Sequence, residues 1–436
     1  MKCGFYEIDI TPRMGSIIPG DFKARYSRAV RDPLFLRAFA ATDGKTAVAV
    51  LSIDACGITL DVTERIRERV EAEAGIPRGG VMVMATHCHG GGPTLNWGEE
   101  VVIDPDYIDM LVDKATEAIT RAYRGAKESD VRLGRAELHG YAFIRVYRMK
   151  DGTLKTNPSR EHPDLIEAPT TEIDPEVLAL GVWQDGVPVG ALVNFATHPA
   201  TVANDEISGD YISELCRTMK EAYGQGFVTV FINGACGNIN RINPFDRDTW
   251  RKGQERVIGR ALGERVMEAL EGAAAMQRDT LAAVADSITV HLRKPTGEAL
   301  LAAKALLEGL GDELSACKPG MPGYPPVFFA IETLRAMADK RTLRTLPLQL
   351  LRIGDALVAG TPCQLFVQFG KRIKAEIGAP CLVSAFANDY AGYVPTPDCF
   401  GEPGVYEAKL CPTSALEPGA GDAVVDGILA LAQGID

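Results

Sequence analysis

The chain alternates short apolar runs with longer amphipathic segments, and this alternation constrains its fold more than any other feature. Residues 46–53, 80–85 and 227–232 are apolar and have the length of buried strands. Residues 61–74 and 105–123 carry the apolar spacing of amphipathic helices. Because strands that alternate with helices favour an α/β fold, we predict a large mixed central β-sheet flanked by helices.

Turn-forming dipeptides indicate that the predicted sheet is mixed. Asp-Gly pairs at residues 43–44 and 185–186, and Gly-Asp at 354–355, each separate two strand-like runs. Such dipeptides are typical of β-hairpins, which place antiparallel strands next to each other. No internal repeat or linker is visible, so we predict one domain over residues 1–436. Residues 294–340, with a Pro/Gly-rich loop at 318–326, are predicted to form a helical insertion within it.

Composition and charge exclude several classes of protein. The net charge of the 436-residue chain is -12, and no long Lys/Arg run is present, which argues against nucleic-acid binding. No stretch approaches the roughly 18 apolar residues of a membrane helix, and the amino-terminal residues do not resemble a secretory signal. We therefore expect a cytoplasmic protein without stable membrane association. Its ten cysteines form no CxxC pair and are expected to be reduced thiols.

A pair of histidines follows one of the predicted buried strands. In residues 86–93 (THCHGGGP), strand alternation continued through His87 and His89 would point both imidazoles to the same side. Imidazole is a common zinc ligand, and catalytic zinc sites typically use three protein ligands and a water. The glycines allow a ligand to approach the backbone closely. A metal site and a hydrogen-bonded turn are both compatible with this segment.

Two further polar residues follow strand-like runs. His198, in residues 194–199 (NFATHP), lies just past an apolar strand, where a shared metal site needs a second histidine. A lone histidine in this position is more often structural. Asp210 directly precedes a predicted helix, and an N-cap or first-turn acid is the simpler interpretation. The alternative is a partner that orients a ligating histidine.

Residues 233–240 (NGACGNIN) also follow a predicted strand. Small residues with exposed amides at this point could form an oxyanion hole. Cys236 has no recognisable base nearby in the sequence. We therefore interpret it as a small buried hydrophobic residue and not as a nucleophile.

Taken together, these segments resemble the neutral/alkaline ceramidase family, and its short bacterial members in particular. The likeness extends to residues 9–12 (DITP), 143–152 (FIRVYRMKDG), 360–370 and 388–407, in the family order and over nearly the whole chain. It implies the fold of the family's catalytic domain and a zinc-dependent hydrolase of amide-type bonds. As in the short members, we expect neither the additional C-terminal β-domain nor the signal peptide of the secreted ceramidases.

The resemblance implies a metal site in which one ligand position carries an unusual residue. His87 and His198 match the two histidines that bind zinc, and Tyr393 matches a tyrosine that approaches it. The family's glutamate ligand, in a Pro-Gly-Glu motif, is replaced by Gln364 in Pro-Cys-Gln. A neutral amide is a poorer zinc ligand than a carboxylate. Three possibilities stay open. Gln364 binds zinc weakly through its side-chain oxygen, fewer residues hold the ion, or the site uses another metal or no metal.

The resemblance also implies catalytic and substrate-binding residues. His89 matches a near-site histidine, Arg145 an active-site arginine, and Tyr406 a tyrosine that binds near the scissile group. Asn240 stands where the family has a serine, which argues against a serine nucleophile. The predicted catalytic set is His89, Arg145, Tyr406 and Asn240, and the predicted substrate-binding residues are Gly91, Asp210 and Tyr390.

We therefore expect one Zn²⁺ per chain and hydrolysis of an amide, lactam or ester in a soluble small molecule. Ceramide is a less suitable substrate because the sequence shows no amphipathic membrane anchor. Two alternatives remain open at this level. One is a metal-dependent lyase or isomerase acting on a polar, sugar-like substrate, and the other is a family member that binds a ligand without turnover. A homo-oligomer is compatible with the sequence.

Overall fold

The computed structural model describes residues 1–21, 24–96, 101–202, 205–317 and 324–435. Its helices are α1 (Leu60–Ala74), α2 (Pro105–Arg124), α3 (Tyr211–Tyr223), α4 (Gln254–Glu271), α5 (Gly297–Leu310), α6 (Tyr324–Ala338), α7 (Val367–Glu376) and α8 (Ala420–Gln433). Its strands are β1 (Lys2–Asp9), β2 (Ala29–Val30), β3 (Phe35–Thr42), β4 (Ala47–Ile53), β5 (Val81–Ala85), β6 (Lys127–Glu128), β7 (Asp130–Glu137), β8 (Phe143–Ile144), β9 (Val146–Met149), β10 (Leu154–Thr156), β11 (Ile166–Pro169), β12 (Glu176–Gln184), β13 (Val187–Phe195), β14 (Glu206–Ile207), β15 (Val228–Asn233), β16 (Ile239–Asn240), β17 (Ala274–Ala275), β18 (Leu281–His291), β19 (Leu343–Ile353), β20 (Ala356–Gly360), β21 (Gln364–Leu365), β22 (Cys381–Ser384) and β23 (Tyr393–Val394). The predicted mixed α/β architecture is confirmed.

The β-structure is divided among several sheets, and three of them share one connectivity. Their strand orders are β5-β4-β3-β1-β6, β15-β13-β12-β7-β17 and β18-β19-β20-β22. Each sheet contains one of the predicted hairpins, which are β3–β4, β12–β13 and β19–β20. The second strand of each hairpin pairs in parallel with a later strand: β4 with β5, β13 with β15, and β20 with β22. A helix, respectively α1, α3 or α7, connects each parallel pair. The arrangement therefore recurs three times, although no repeat is visible in the sequence.

The three sheets pack against one another on their inner faces and against helices on their outer faces. Phe39 of β3, Leu192 of β13 and Val358 of β20 belong to one buried cluster to which all three sheets contribute. Ala38 and Ala40, which alternate with Phe39, belong to a second cluster that includes residues of the helices. Helices α1 and α2 cover the first sheet, α3 and α4 the second, and α7 and α8 the third. Because both of their faces are buried, β4 and β5 are apolar along nearly their whole length.

Three buried asparagines connect the sheets near the carboxyl ends of the parallel strands. Asn194 of β13 donates to the carbonyl oxygen of Val383 in β22 at 2.9 Å. Asn233 of β15 donates to the carbonyl oxygen of Thr86, directly after β5, at 2.9 Å. Asn388 accepts from the backbone N–H of Val83 in β5 at 3.1 Å. Each sheet is thereby bonded to the next, which holds the three strand ends in fixed positions.

Helix boundaries differ from the sequence prediction in small ways. Helix α1, predicted over residues 61–74, begins after Thr59, and Asp61 lies in its first turn. Gly75 ends this helix in a left-handed conformation. In the predicted insertion, the side chain of Thr296 caps α5. Residues 318–323 of the predicted Pro/Gly-rich loop lie outside the described residues, and α6 begins immediately afterwards.

The dimensions of the helices also bear on membrane insertion. Within the described ranges, no helix combines the length and the apolar character needed to cross a bilayer.

Candidate active site

Polar side chains converge where the parallel strands of the three sheets end. His87 and His89 follow β5, His198 follows β13, and Gln364 follows β20. The carboxyl ends of parallel strands are the usual position for a ligand site in α/β proteins. The asparagine bonds between the sheets bring these three ends together, so residues far apart in the sequence form one buried cluster.

The three histidines of this cluster face one another through their Nε2 atoms. His198 Nε2 lies 3.2 Å from His87 Nε2 and 3.1 Å from His89 Nε2. On the other side of the His87 ring, Nδ1 lies 2.6 Å from the carbonyl oxygen of Cys56 and therefore carries the proton. His198 Nδ1 lies 3.5 Å from the carbonyl oxygen of Cys236 in the same way. Both Nε2 atoms then present bare lone pairs to each other.

Burial keeps these imidazoles neutral. It lowers the pKa of His87 to about 3, with a smaller contribution from the positive charge of Arg145. Burial also lowers the pKa of His198 and of His89 well below the usual range, and neighbouring histidines and Arg145 add to this effect. Neutral imidazoles with exposed lone pairs are the form in which histidine binds a metal ion.

The backbone at His87 explains how the ring reaches this position. His87 has a φ of 66°, in the left-handed region that non-glycine residues rarely occupy. The strand ends at Ala85, so the strand alternation that we assumed at the sequence level does not continue through the HxH motif. Instead, stacking on Phe386 with ring centroids 4.1 Å apart and the bond to Cys56 hold the His87 ring.

A second set of potential ligand atoms includes the Cys56 thiol. Cys56, His87 and His89 offer ligand atoms within 4.8 Å of one another, and thus form a possible metal site. The Cys56 thiol, however, is 3.8 Å from His87 Nδ1, the nitrogen already engaged by the Cys56 carbonyl. Burial raises the pKa of this thiol to about 12. Because His198 faces Nε2 and not Nδ1, the histidine side of the ring is the better position for an ion.

Gln364 lies beside His87 with one polar atom unused. Its amide nitrogen donates to the hydroxyl of Tyr390. Its Oε1 is buried and has no hydrogen-bond partner within the part of the chain that the structure describes. A buried carbonyl oxygen without a hydrogen-bond partner is unfavourable, and it is available to accept a hydrogen bond or to bind a cation.

Arg145 and Glu407 form a buried ion pair next to the histidines. Arg145 Nε lies 2.8 Å from Glu407 Oε1, and its Nη2 donates to the carbonyl oxygen of Gly237 at 2.5 Å. Thr156 donates to the other carboxylate oxygen of Glu407 at 2.5 Å. Burial raises the pKa of Glu407, and Arg145 opposes this rise. Burial would lower the pKa of Arg145, but the neighbouring tyrosines and Glu407 raise it above its ordinary value.

Tyr393 and Tyr406 stand over the Arg145 guanidinium. The ring centroids lie 5.4 Å and 5.3 Å from the guanidinium carbon, and the two hydroxyls are 3.3 Å apart. Burial raises the pKa of both tyrosines, and Arg145 opposes this effect. The hydroxyls therefore remain protonated at neutral pH and can donate hydrogen bonds to an oxyanion.

Comparisons with known proteins identify the family and the fold. Residues 22–243 match the family model described as neutral/alkaline non-lysosomal ceramidase, N-terminal. The chain belongs to this family. Its structure is similar to that of the neutral ceramidase from Pseudomonas aeruginosa, with a TM-score of 0.71 and 20% identity over 99% of this chain and 74% of that chain. A ceramidase complexed with C2 gives a TM-score of 0.70 and 19% identity over the same shares. At this identity the likeness concerns the fold. No curated protein matches the sequence.

Ceramidases are hydrolases, so the chain belongs to a hydrolase family. Most of the residues that the family resemblance identifies lie together in the structure. His87, His89 and His198 form the histidine cluster, with Gln364 and Tyr390 bonded to each other beside it. Arg145, Tyr393 and Tyr406 form the adjoining group. Their individual roles stay predictions.

Asp210 and Gly91 are engaged by the protein itself. The Asp210 carboxylate accepts from the backbone N–H and hydroxyl of Thr201, at 2.7 and 2.8 Å, and from the N–H of Tyr211 at 2.7 Å. It therefore caps α3 and holds the segment that follows His198. A Cβ on Gly91 would lie 2.8 Å from the Cα of Ala55, so glycine at position 91 permits close backbone packing. A role of either residue in substrate binding stays a prediction.

Asn240, in β16, pairs with Phe143 of β8. Its amide nitrogen donates to Asn157 Oδ1 at 2.6 Å, and its Oδ1 accepts from the N–H of Ile242 at 2.8 Å. Both asparagines line a cavity of about 260 Å³ together with Tyr147, Arg160 and others. The predicted catalytic role of Asn240 is not tested by this placement.

Three residues that support the site were missed by sequence reasoning. Arg25 is buried and donates from Nη2 to the carbonyl oxygen of His89 at 3.0 Å. Cys56 orients His87 through its backbone, and Phe386 supports the ring by stacking. A buried arginine and a backbone carbonyl leave no motif in a single sequence, so nothing in the sequence distinguished these positions.

Proposed function

We propose that this ceramidase-family protein is a zinc-dependent hydrolase that cleaves an amide-type bond in a small molecule. The observation that carries the proposal is the 3.2 Å separation of His87 Nε2 and His198 Nε2. At a Zn–N distance of about 2.05 Å, two ligands of a tetrahedral site lie roughly 3.3 Å apart. The two bare nitrogens therefore have the spacing of zinc ligands, and their mutual repulsion is relieved by a cation between them.

The donor set fits zinc. His87 and His198 would hold the ion, with the unused Oε1 of Gln364 as an oxygen donor and the Tyr393 hydroxyl at the border of the site. Their Nδ1 atoms face backbone carbonyls, which fixes the tautomer and the ring orientation as in known zinc sites. When bound, zinc supplies Lewis-acid polarisation of the scissile carbonyl and activation of a water.

The protein's own residues would stabilise the charge that develops on the substrate. Arg145 is fixed by Glu407 and Gly237, and its positive charge lowers the pKa of all three histidines. Tyr393 and Tyr406 remain protonated and present hydroxyls in the same place. Preorganised donors of this kind are suited to the oxyanion of acyl transfer. The same group also suits a carboxylate on the substrate.

The test begins with metal content. Protein made without a polyhistidine tag is depleted with a chelator, dialysed against Zn²⁺ and analysed for zinc per chain. We expect about one zinc per chain and turnover of at least one member of a panel of N-acyl amides, lactams and esters. His198→Ala should lose both zinc and turnover, because it removes one of two facing nitrogens. His139→Ala is the matched control, since His139 is exposed and bonded to Glu137 at a different place.

The proposal fails if wild-type protein takes up no zinc under these conditions. It also fails if His198→Ala keeps full zinc content and full turnover. Incorporation of oxygen-18 from solvent into the acid product distinguishes hydrolysis from lyase or isomerase chemistry. Uptake of zinc without turnover of any panel member would favour ligand binding without catalysis.

A further inference from the structure

We propose that His89 is itself a metal ligand, so that the ion is held by three histidines of this chain. The inference rests on the proposed function, because it concerns the same metal. The family resemblance implies a near-site catalytic residue at this position, whereas the HxH pattern alone leaves a metal ligand open. The observations that carry the inference are the distance from His89 to His198, the support on the other edge of the His89 ring, and the neutral amide at position 364.

The distance between His89 and His198 matches the distance between His87 and His198. His89 Nε2 lies 3.1 Å from His198 Nε2, and His87 Nε2 lies 3.2 Å from the same atom. Both values are close to the roughly 3.3 Å expected between two nitrogens on one tetrahedral zinc. The ring centroids of the three imidazoles are 4.6 to 5.0 Å apart.

The other edge of each histidine ring is held by backbone. His87 Nδ1 meets the carbonyl of Cys56, and His198 Nδ1 meets the carbonyl of Cys236. The His89 ring is hydrogen-bonded to the backbone of Gly20, and this bond raises its pKa against the larger effect of burial. Metal-binding histidines characteristically use the second nitrogen in this way.

The segment around Gly20 is shaped to receive the His89 ring. Gly20 has a φ of +103°, and a Cβ at this position would lie 2.7 Å from His89 Nδ1. Arg25 donates both to the carbonyl oxygen of Pro19 and to that of His89, which ties this segment to the HxH motif. The ring is therefore fixed from outside the cluster, with its Nε2 directed at His198.

Ligand chemistry gives a reason for a third histidine. The family resemblance places a carboxylate where this chain has Gln364, and an amide oxygen binds zinc less strongly. A third imidazole restores three good protein ligands, the number typical of catalytic zinc sites. The alternative is that His89 donates a hydrogen bond from Nε2 to His198 and only orients it.

Two measurements separate these possibilities. The zinc affinity of wild type and His89→Ala is measured by competition with a chromophoric chelator, and zinc K-edge absorption counts the imidazole ligands. Loss of an orienting residue typically weakens metal binding about 10- to 100-fold. For a direct ligand we expect a loss of more than about 1,000-fold and a decrease from three to two imidazoles. His89→Asp, which retains a donor atom, should recover part of the affinity.

Gly20→Ala is the matched control for positioning. It displaces the His89 ring without removing its nitrogen, and we expect a loss within the 10- to 100-fold range and three imidazoles at saturating zinc. The inference is overturned if His89→Ala binds zinc within 100-fold of wild type with an unchanged imidazole count. If that variant retains zinc while His87→Ala and His198→Ala lose it, only this inference fails. If wild type binds no zinc, the proposed function fails as well.

Discussion

At the scale of single residues, position 364 distinguishes this chain within the family pattern that its sequence resembles. The Gln364 side chain uses its nitrogen on Tyr390 and leaves Oε1 without a partner among the described residues. An amide can serve two partners at once, since its nitrogen donates to the Tyr390 hydroxyl and its oxygen is available to a cation. A carboxylate would add negative charge and would accept a hydrogen bond from the Tyr390 hydroxyl in place of donating one to it.

Replacement of this amide by a carboxylate should strengthen metal binding. For Gln364→Glu we expect zinc affinity at pH 7 to rise at least about tenfold, which requires only about 1.4 kcal/mol of additional attraction. The metal-free variant should be less stable than wild type, because a carboxylate is then buried without a cation. Chelator competition measures the affinity, and urea unfolding measures the stability.

Gln364→Leu, which has a similar size and no donor atom, is the control. Its zinc affinity should not exceed that of wild type. If Gln364→Glu and Gln364→Leu bind zinc equally well, position 364 does not contact the ion.

At the scale of secondary-structure elements, the site depends on how three sheet ends are held together. Asn388 has a φ of 67° and bonds β5 through both its backbone and its side chain. Its amide nitrogen also donates to Gln349 Oε1 of β19 at 2.8 Å. Positive φ is tolerated better by asparagine than by most residues. This residue therefore combines a backbone requirement with a connection between two sheets.

Truncation of Asn388 should destabilise the protein measurably. Asn388→Ala leaves the Val83 N–H without its side-chain acceptor, at about 1–3 kcal/mol. It also removes one of two donors to Gln349 Oε1, which keeps its hydrogen bond from Arg67. Alanine at positive φ adds about 1–2 kcal/mol. Asn388→Gly loses the same bonds but tolerates the backbone, so it should be less destabilised than Asn388→Ala. Urea unfolding of the three proteins checks this order, and equal stabilities of all three would contradict it.

At the scale of the whole molecule, nearly all the cysteines are buried in the core as free thiols. Cys317 is partly exposed, and the other nine are buried. This agrees with the expectation of reduced thiols. Burial raises the pKa of Cys381, in β22 of the third sheet, from 9.0 to about 12. In the unfolded chain this thiol ionises near its ordinary pKa, whereas in the folded protein it stays protonated.

The stability of the protein should therefore fall at alkaline pH. Above pH 9 the unfolded chain binds fewer protons than the folded protein at Cys381, so rising pH favours unfolding until about pH 12. Below pH 9 this thiol is protonated in both states, and its contribution is fully retained. In Cys381→Ala the decline between pH 9 and 10 should be shallower than in wild type by up to about 1.4 kcal/mol per pH unit.

Urea unfolding with a reductant present measures both proteins from pH 7 to 10. The value at pH 7 fixes the packing cost of removing the sulfur, which does not depend on pH. Parallel curves for the two proteins above pH 9 would contradict the prediction.

The local elements were predictable from the sequence because their signals are local. The three hairpins, the buried strand before the HxH motif and the amphipathic helix α2 follow from side-chain alternation, turn residues and apolar spacing. The motifs at the strand ends and their family resemblance also identify the histidines, Arg145 and the tyrosines from the sequence alone. These inferences need only neighbouring residues in the chain.

Three features were decided only by the tertiary structure. They are the division of the strands into three sheets, the mutual orientation of the histidines, and the support given by Arg25, Cys56 and Phe386. His87 faces His198 because its backbone leaves the strand at positive φ and because contacts from Cys56 and Phe386 fix the ring. These contacts join residues that are distant in the sequence, and a backbone carbonyl or a stacking partner has no sequence signature. The sequence by itself determined which chemical groups are available, and the packing of the three sheets determined which of their atoms meet.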